Sequence, residues 1–116
     1  MPASDPHCLL ICATCKGRAH AETLRAALAT QIPFGVDLGL VDCMAGCARP
    51  VTVGLQAPGK ASYLFGDIRS AEDLTALARF ARIYQHSDSG WTKATDRPKP
   101  LLHKTLARLP ASGPRP

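Results

Sequence analysis

Hydrophobic residues follow two different periods along this chain, and the two periods predict its secondary structure. Alternating or continuous apolar runs predict four β-strands, over residues 9–12, 36–42, 51–55 and 62–65. Between the first two runs, Leu24, Leu28 and Ile32 recur every four residues, which predicts a helix that starts at His20. Pro33 ends this helix, because the residue before a proline avoids helical geometry.

A second helix is predicted to begin after Ser70. Serine is a favourable N-cap residue, and acidic residues follow it in the first turn. Helical spacing of apolar residues then continues to about His86. Beyond Gly90, prolines interrupt the chain, and the pattern predicts only a short helix over residues 101–109.

The predicted order of elements is β-α-β, then a β-hairpin, then α. The first crossover implies two parallel strands joined by a right-handed connection. The hairpin extends the sheet, and both helices cover it. The sequence therefore predicts an α/β, thioredoxin-like fold, β-α-β-β-β-α, with a four-stranded mixed sheet and a C-terminal extension.

Four of the five cysteines form two closely spaced pairs. Cys12 and Cys15 are separated by two residues, and Cys43 and Cys47 by three. Each pair follows one of the two strands predicted to be parallel neighbours, so both pairs are expected at the same edge of the sheet. Four thiolates bind an iron–sulfur cluster or zinc. These four cysteines are the predicted metal ligands.

Other interpretations of the cysteines stay open. A zinc site uses the same four ligands, although zinc knuckles usually have two similar Cys-x-x-Cys turns and the spacings here differ. A redox-active dithiol at Cys12 and Cys15 is another reading, but it leaves the second pair unexplained. Cys8 is interpreted as a bystander or as an alternative ligand. The histidines have no metal-ligand spacing and are interpreted as surface residues: His7, His20, His86 and His103.

The formal net charge of +5 comes entirely from the end of the chain. Residues 1–92 carry eight basic and eight acidic residues, whereas residues 93–116 carry six basic residues and one acid, Asp96. We predict two regions: a metal- or cluster-binding thioredoxin-like domain over residues 1–92, and a basic, proline-rich, partly disordered extension over residues 93–116. The extension could dock an acidic redox partner. Nucleic-acid binding is disfavoured, because few aromatic residues accompany the charges and no reader motif is present.

The sequence also predicts the compartment and argues against catalysis. No signal peptide precedes the first apolar run, and no run approaches the roughly 20 apolar residues that a membrane helix needs. We therefore expect a cytoplasmic protein without membrane contact, in which paired thiols favour metal chemistry over disulfides. No catalytic carboxylate pair or nucleophile–base constellation is apparent, so we expect that the protein is not an enzyme.

The segments around the cysteines resemble a known family. They are Cys12-x-x-Cys15, then Cys43-Met-Ala-Gly-Cys47-Ala-Arg-Pro followed by Val-Thr-Val-Gly-Leu, then Tyr63-Leu-Phe-Gly-Asp. Together they resemble a bacterial domain of unknown function described as predicted metal-binding proteins. More distantly, the chain is similar to thioredoxin-like [2Fe–2S] ferredoxins and to the small two-iron subunit of respiratory complex I.

This resemblance implies that Cys12, Cys15, Cys43 and Cys47 are the ligands, and that the chain could form a homodimer as related ferredoxins do. Those ferredoxins separate their first two cysteines by a much longer segment, which keeps Cys8 open as a replacement for Cys12. The expected function is that of a one-electron carrier with a [2Fe–2S] cluster. The alternative is a zinc-binding structural or metal-handling module without redox activity.

Overall fold

The computed structural model of the protein describes residues 7–14, 17–42 and 51–111. Three of the predicted ligands, Cys15, Cys43 and Cys47, lie outside these residues, as does the end of the predicted extension. The described chain forms the following elements: β1 (His7–Cys12), α1 (Arg18–Ala29), β2 (Val36–Val41), β3 (Val53–Gln56), β4 (Ser62–Phe65), α2 (Ala71–His86), a 3-10 turn (Ala94–Asp96), α3 (Lys99–Leu102) and β5 (Thr105–Leu109).

The strands form one mixed sheet in the order β2-β1-β3-β4-β5. β1 and β2 are parallel, and the other three pairings are antiparallel, including the predicted hairpin of β3 and β4. The prediction of a mixed α/β fold is confirmed. The predicted number of four strands is wrong, because β5 adds a fifth strand at the free edge of β4.

β5 lies where the sequence predicted a short helix. The helical part of that segment is the single turn of α3, which ends at Leu102. Residues 105–109 extend instead and pair with β4. β5 supplies hydrogen-bond partners to the outer edge of β4 from a distant part of the chain, and the local pattern of apolar residues does not encode such a long-range pairing.

Both long helices pack on one face of the sheet. Their apolar sides meet alternate residues of the three central strands, which form the core: Leu9, Ile11, Val53, Leu55, Tyr63 and Phe65, all at most 3% exposed. Phe80 of α2 lies edge-on to Tyr63 and Phe65, at ring-centre distances of 5.0 and 5.5 Å, a favourable aromatic geometry. α3 packs against α2 and adds Leu101 to the same core.

The start of α2 is fixed by a capping box and by a lysine from the end of the chain. Ser70 and Asp73 cap the helix reciprocally, as the sequence predicted for Ser70. Asp73 Oδ2 also accepts a hydrogen bond from Lys104 Nζ at 2.8 Å, and Lys104 Nζ donates to the carbonyl of Asp67 at 2.7 Å. Lys104 directly precedes β5, so this contact ties the last strand to α2.

Candidate metal centre

Cys12 is the last residue of β1 and lies beside Val41, the last residue of β2. The two strands are parallel, so their carboxyl ends meet at one edge of the sheet, as predicted. The side chain of Cys12 is only 2% exposed. Asp42, the residue before Cys43, is therefore a close neighbour of Cys12.

Backbone hydrogen bonds fix this end of β1 to both sides of the segment that carries Cys43 and Cys47. The N–H of Ala13 donates to the carbonyl of Val41 at 2.7 Å, and the N–H of Cys12 donates to the carbonyl of Thr52 at 3.0 Å. The chain thus leaves the sheet after Val41 and is back beside β1 at Thr52. Val51 and Thr52 are buried, and the N–H of Ile68 donates to the carbonyl of Val51 at 3.2 Å.

Among the described residues, two polar groups lie near the sulfur of Cys12. Its thiol donates to the carbonyl of Asp42 over 3.8 Å, and its Sγ lies 3.4 Å from Oγ1 of Thr14. If the sulfur is ionised it can only accept, so the Thr14 hydroxyl becomes the donor. The cysteine spacing gave no role to Thr14. Its position two residues after Cys12, inside the Cys-x-x-Cys segment, was the available signal.

Gly17 directly precedes α1. Its φ of 92° lies in the left-handed region, which a residue with a Cβ rarely adopts. α1 begins at Arg18, two residues earlier than predicted, with no side-chain cap on its first turn. A Cys-x-x-Cys of the thioredoxin type stands at a helix N-terminus, whereas here Gly17 and one further residue separate Cys15 from α1.

Cys8 lies at the other end of β1. It faces the same side of the sheet as Cys12, because the two residues are four positions apart and side chains alternate along a strand. At 3.3 Å per residue, their Cα atoms are about 13 Å apart. Cys8 is half-buried beside Gln56 and Asp37, far from the strand ends that flank residues 43–50.

The interpretation of all four histidines as surface residues is wrong for His7, which lies next to Cys8 on β1. It is 8% exposed, and its Nε2 lies 2.7 Å from Nζ of Lys60. Lys60 Nζ also donates to the carbonyls of Tyr84 and Gln85, at the end of α2 where carbonyls lack helical partners. Burial raises the pKa of Tyr84, to about 12, and its hydroxyl donates to the carbonyl of Ala61 at 2.6 Å. The three other histidines are exposed.

No group of three or more His, Cys, Asp or Glu side chains in the described part of the chain is placed to hold a metal ion. A centre built on Cys12 therefore needs ligands from residues outside it. Within the same described residues, no helix is both long and apolar enough to cross a membrane.

Two of the basic residues beyond position 92 serve the fold. Lys104 binds Asp73, and the guanidinium of Arg108 lies 3.6 Å from the ring centre of Trp91 while donating to the carbonyl of Thr92 at 2.7 Å. Lys93 and Lys99 are exposed. The charge of this segment is therefore divided between internal contacts and the surface.

The chain belongs to the DUF1636 family, described as a protein of unknown function, whose profile matches residues 9–111. The matched range includes all of the sheet except the first two residues of β1. It contains the positions of Cys12, Cys15, Cys43 and Cys47, and it begins just after Cys8. Comparison with curated proteins and with solved structures finds no match.

Proposed function

We propose that this protein binds a [2Fe–2S] cluster through Cys12, Cys15, Cys43 and Cys47 and acts as a one-electron carrier, not as an enzyme. The observation that carries the proposal is the position of Cys12. Its backbone and that of Ala13 are hydrogen-bonded to Thr52 and Val41, close to both ends of the segment that bears the second cysteine pair. Because the described residues on either side of that segment, Val41 and Thr52, both lie beside Cys12, the two pairs are well placed to converge.

The surroundings of Cys12 suit a metal-bound sulfur. A buried thiolate without a cation is costly, but a metal ion or cluster compensates its charge. The Thr14 hydroxyl, at 3.4 Å, can donate to that sulfur, and such contacts to cluster sulfurs help to set a reduction potential. When bound, the cluster supplies the electron-transfer chemistry, and the chain's own residues supply ligands, exclude water and donate hydrogen bonds.

Cys8 is left out of the proposed ligand set. Two sulfurs on one zinc ion lie at most about 4.6 Å apart, given bonds of about 2.3 Å. Cys8 and Cys12 face the same side of β1 with Cα atoms about 13 Å apart, so their sulfurs lie too far apart to bind one ion together. Cys8 also precedes the residues that match the family.

We also propose that this mixed α/β fold is thioredoxin-like. A parallel β-α-β unit followed by an antiparallel hairpin and a helix is the layout on which that assignment rests, and β1 to α2 follow it in order. β5 is an addition to this layout. The family resemblance and the positions of the cysteines also support a thioredoxin-like fold.

Docking of an acidic redox partner is proposed for the exposed basic residues only. Arg79 and Arg82 of α2 are exposed on the helix layer, and Lys93 and Lys99 are exposed on the segment that follows it. Removing residues 93–116 would also remove β5 and the fully buried Leu101, so that deletion would disrupt the fold. Charge reversal of Lys93 and Lys99 is the suitable test, and we expect slower electron transfer at low ionic strength.

The deciding experiment is a visible absorption spectrum of protein purified without oxygen. An iron–sulfur cluster gives a reddish-brown sample that dithionite bleaches, whereas Zn²⁺ is colourless. We expect colour in the natural sequence and in Cys8→Ser, the matched control, and its loss in Cys43→Ser. A colourless sample with stoichiometric zinc would contradict the electron-carrier proposal and support the alternative, a zinc-binding module without redox activity. A sample with neither metal would reject both.

A further inference from the structure

The outward side of α2 carries two exposed arginines, Arg79 and Arg82. They stand three residues apart, so they are neighbours on one face of the helix and their positive charges repel each other. Within the described residues neither takes part in an ion pair, in contrast to Arg25, Arg69 and Lys104. The rest of the sequence contains only one acidic side chain, so the two guanidinium groups are available to an anion from outside the chain.

A hollow of about 210 Å³ lies between these two arginines and Gln31, which follows the end of α1. Thr75 of α2 also lines it, and its hydroxyl donates to Oε1 of Gln31 at 2.9 Å. This bond holds the amide in place through its oxygen, so the amide N–H groups remain as donors. Two guanidinium groups and an amide are donors that suit a phosphate or a carboxylate.

A second hollow, of about 410 Å³, adjoins the first and shares Thr75 and Arg79 with it. Its volume lies within the range of about 300–1,000 Å³ that is usual for small-molecule sites. Glu72 and Lys99 line it with opposite charges. Its remaining walls are apolar, from α2 on one side and from the start of α3 on the other: Ala71, Ala76, Pro98 and Pro100. A strongly cationic hollow therefore adjoins a larger, mostly apolar one.

We propose that the two hollows form one binding site for a small organic phosphate, a phosphate monoester with an apolar body. The phosphate lies in the first hollow, where Arg79, Arg82 and the amide of Gln31 donate to its oxygens. The apolar body lies in the second hollow, against the alanines and prolines. A phosphate monoester carries about −1.5 to −2 charges at pH 7, which balances two guanidinium groups, whereas a carboxylate balances one.

This site is on the helix layer and uses no proposed metal ligand, so it does not depend on the cluster. It does share Arg79 and Arg82 with the surface proposed for an acidic redox partner. A bound phosphate would therefore compete with that partner, and binding of the small molecule is measured on the chain alone.

The test is an NMR titration of the isotope-labelled full chain with three ligands: phenyl phosphate, inorganic phosphate and benzoate. Phenyl phosphate has both the charged group and an apolar ring, and we expect it to bind with a dissociation constant of roughly 0.1–1 mM. Inorganic phosphate lacks the ring and should bind about tenfold more weakly. Benzoate keeps the ring but has a single charge, so it should also bind more weakly. The amide signals of Thr75, Arg79 and Arg82 should shift with phenyl phosphate.

Arg79→Gln and Arg82→Gln should each weaken phenyl phosphate binding about tenfold or more, because each removes charge-assisted hydrogen bonds. Arg18→Gln is the matched control and should leave binding unaltered. It makes the same change at the start of α1, about 17 Å along that helix from the end that precedes Gln31. Ala71→Leu fills part of the apolar hollow, so it should weaken phenyl phosphate but not inorganic phosphate. Circular dichroism checks that every variant is folded.

Three results would overturn the proposal. The first is a natural chain whose signals do not shift with phenyl phosphate up to about 10 mM. The second is an equal loss of binding in Arg18→Gln and Arg79→Gln, which would indicate general attraction of anions to a basic protein. The third is equal affinity for phenyl phosphate and inorganic phosphate, which would show that the second hollow holds no apolar body.

Discussion

The two ends of the sheet carry similar residues in different settings. Each end has a cysteine on β1 and a lysine that hydrogen-bonds to α2. At the Cys8 end, Lys60 reaches the carboxyl end of α2 and the buried His7. At the Cys12 end, Lys104 reaches the amino end of α2, and the strands lead into residues 43–50. Both lysines therefore stabilise the fold, whereas only one of the two cysteines, Cys12, is a candidate metal ligand.

The largest difference between the two ends is expected in the effect of a cysteine substitution on metal content. Cys12→Ser should abolish stoichiometric iron or zinc, because it removes one of the four proposed ligands. Cys8→Ser, at the other end of the same strand, should retain the full metal content. Elemental analysis of both proteins after anaerobic purification measures the difference. Equal metal loss in both variants would contradict the assignment of the two ends.

Lys60→Met should destabilise the fold by roughly 2–3 kcal/mol, because it leaves the carbonyls of Tyr84 and Gln85 and the ring of His7 without this donor. Chemical denaturation measures the free energy of unfolding. Lys99→Met, at an exposed position of α3, is the matched control and should change stability by less than about 0.5 kcal/mol. Similar effects at both lysines would mean that the Lys60 contacts contribute little.

At the Cys12 end, the contribution of Asp73 to folding stability depends on pH. Burial raises the pKa of its carboxyl, but the hydrogen bonds from Lys104 and from the N–H groups of Arg69 and Ser70 outweigh burial and lower the pKa below the usual 3.8. A carboxyl whose pKa is lower in the folded state stabilises the fold above its unfolded pKa, and this contribution disappears as the pH falls through the folded pKa.

Asp73→Asn should therefore cost about 1–2 kcal/mol near pH 7, and the difference from the natural chain should shrink as the pH falls below 3.8. Urea denaturation at several pH values measures this. Asp88→Asn, on the exposed loop after α2, serves as control. A difference that is constant from neutral to acid pH would show that the charge of Asp73 is not what stabilises the fold.

The smallest expected effect concerns Thr14. In the iron–sulfur form, Thr14→Ala removes the hydroxyl beside Cys12 Sγ and should lower the reduction potential by roughly 20–60 mV, equivalent to about 0.5–1.5 kcal/mol. Thr14→Ser keeps the hydroxyl and should stay close to the natural value. Direct electrochemistry compares the three proteins. An unchanged reduction potential in Thr14→Ala would show that this hydroxyl does not influence the potential of the cluster.

Local patterns in the sequence determined much of this protein. The β-α-β order, the hairpin and the start of α2 at Ser70 follow from periodicity and from capping, which act within a few residues. The grouping of four cysteines into two close pairs is evident from their spacing, and the predicted β-α-β order gave their expected position after two parallel strands. These features need no knowledge of distant parts of the chain.

Only the tertiary structure decided which distant groups meet. It paired residues 105–109 with the outer edge of β4 as a fifth strand, and it buried His7 against Lys60. It placed both long helices on one face of the sheet, and it separated Cys8 from Cys12 by the length of a strand. These outcomes depend on contacts between residues far apart in sequence, whose energies a local pattern does not contain.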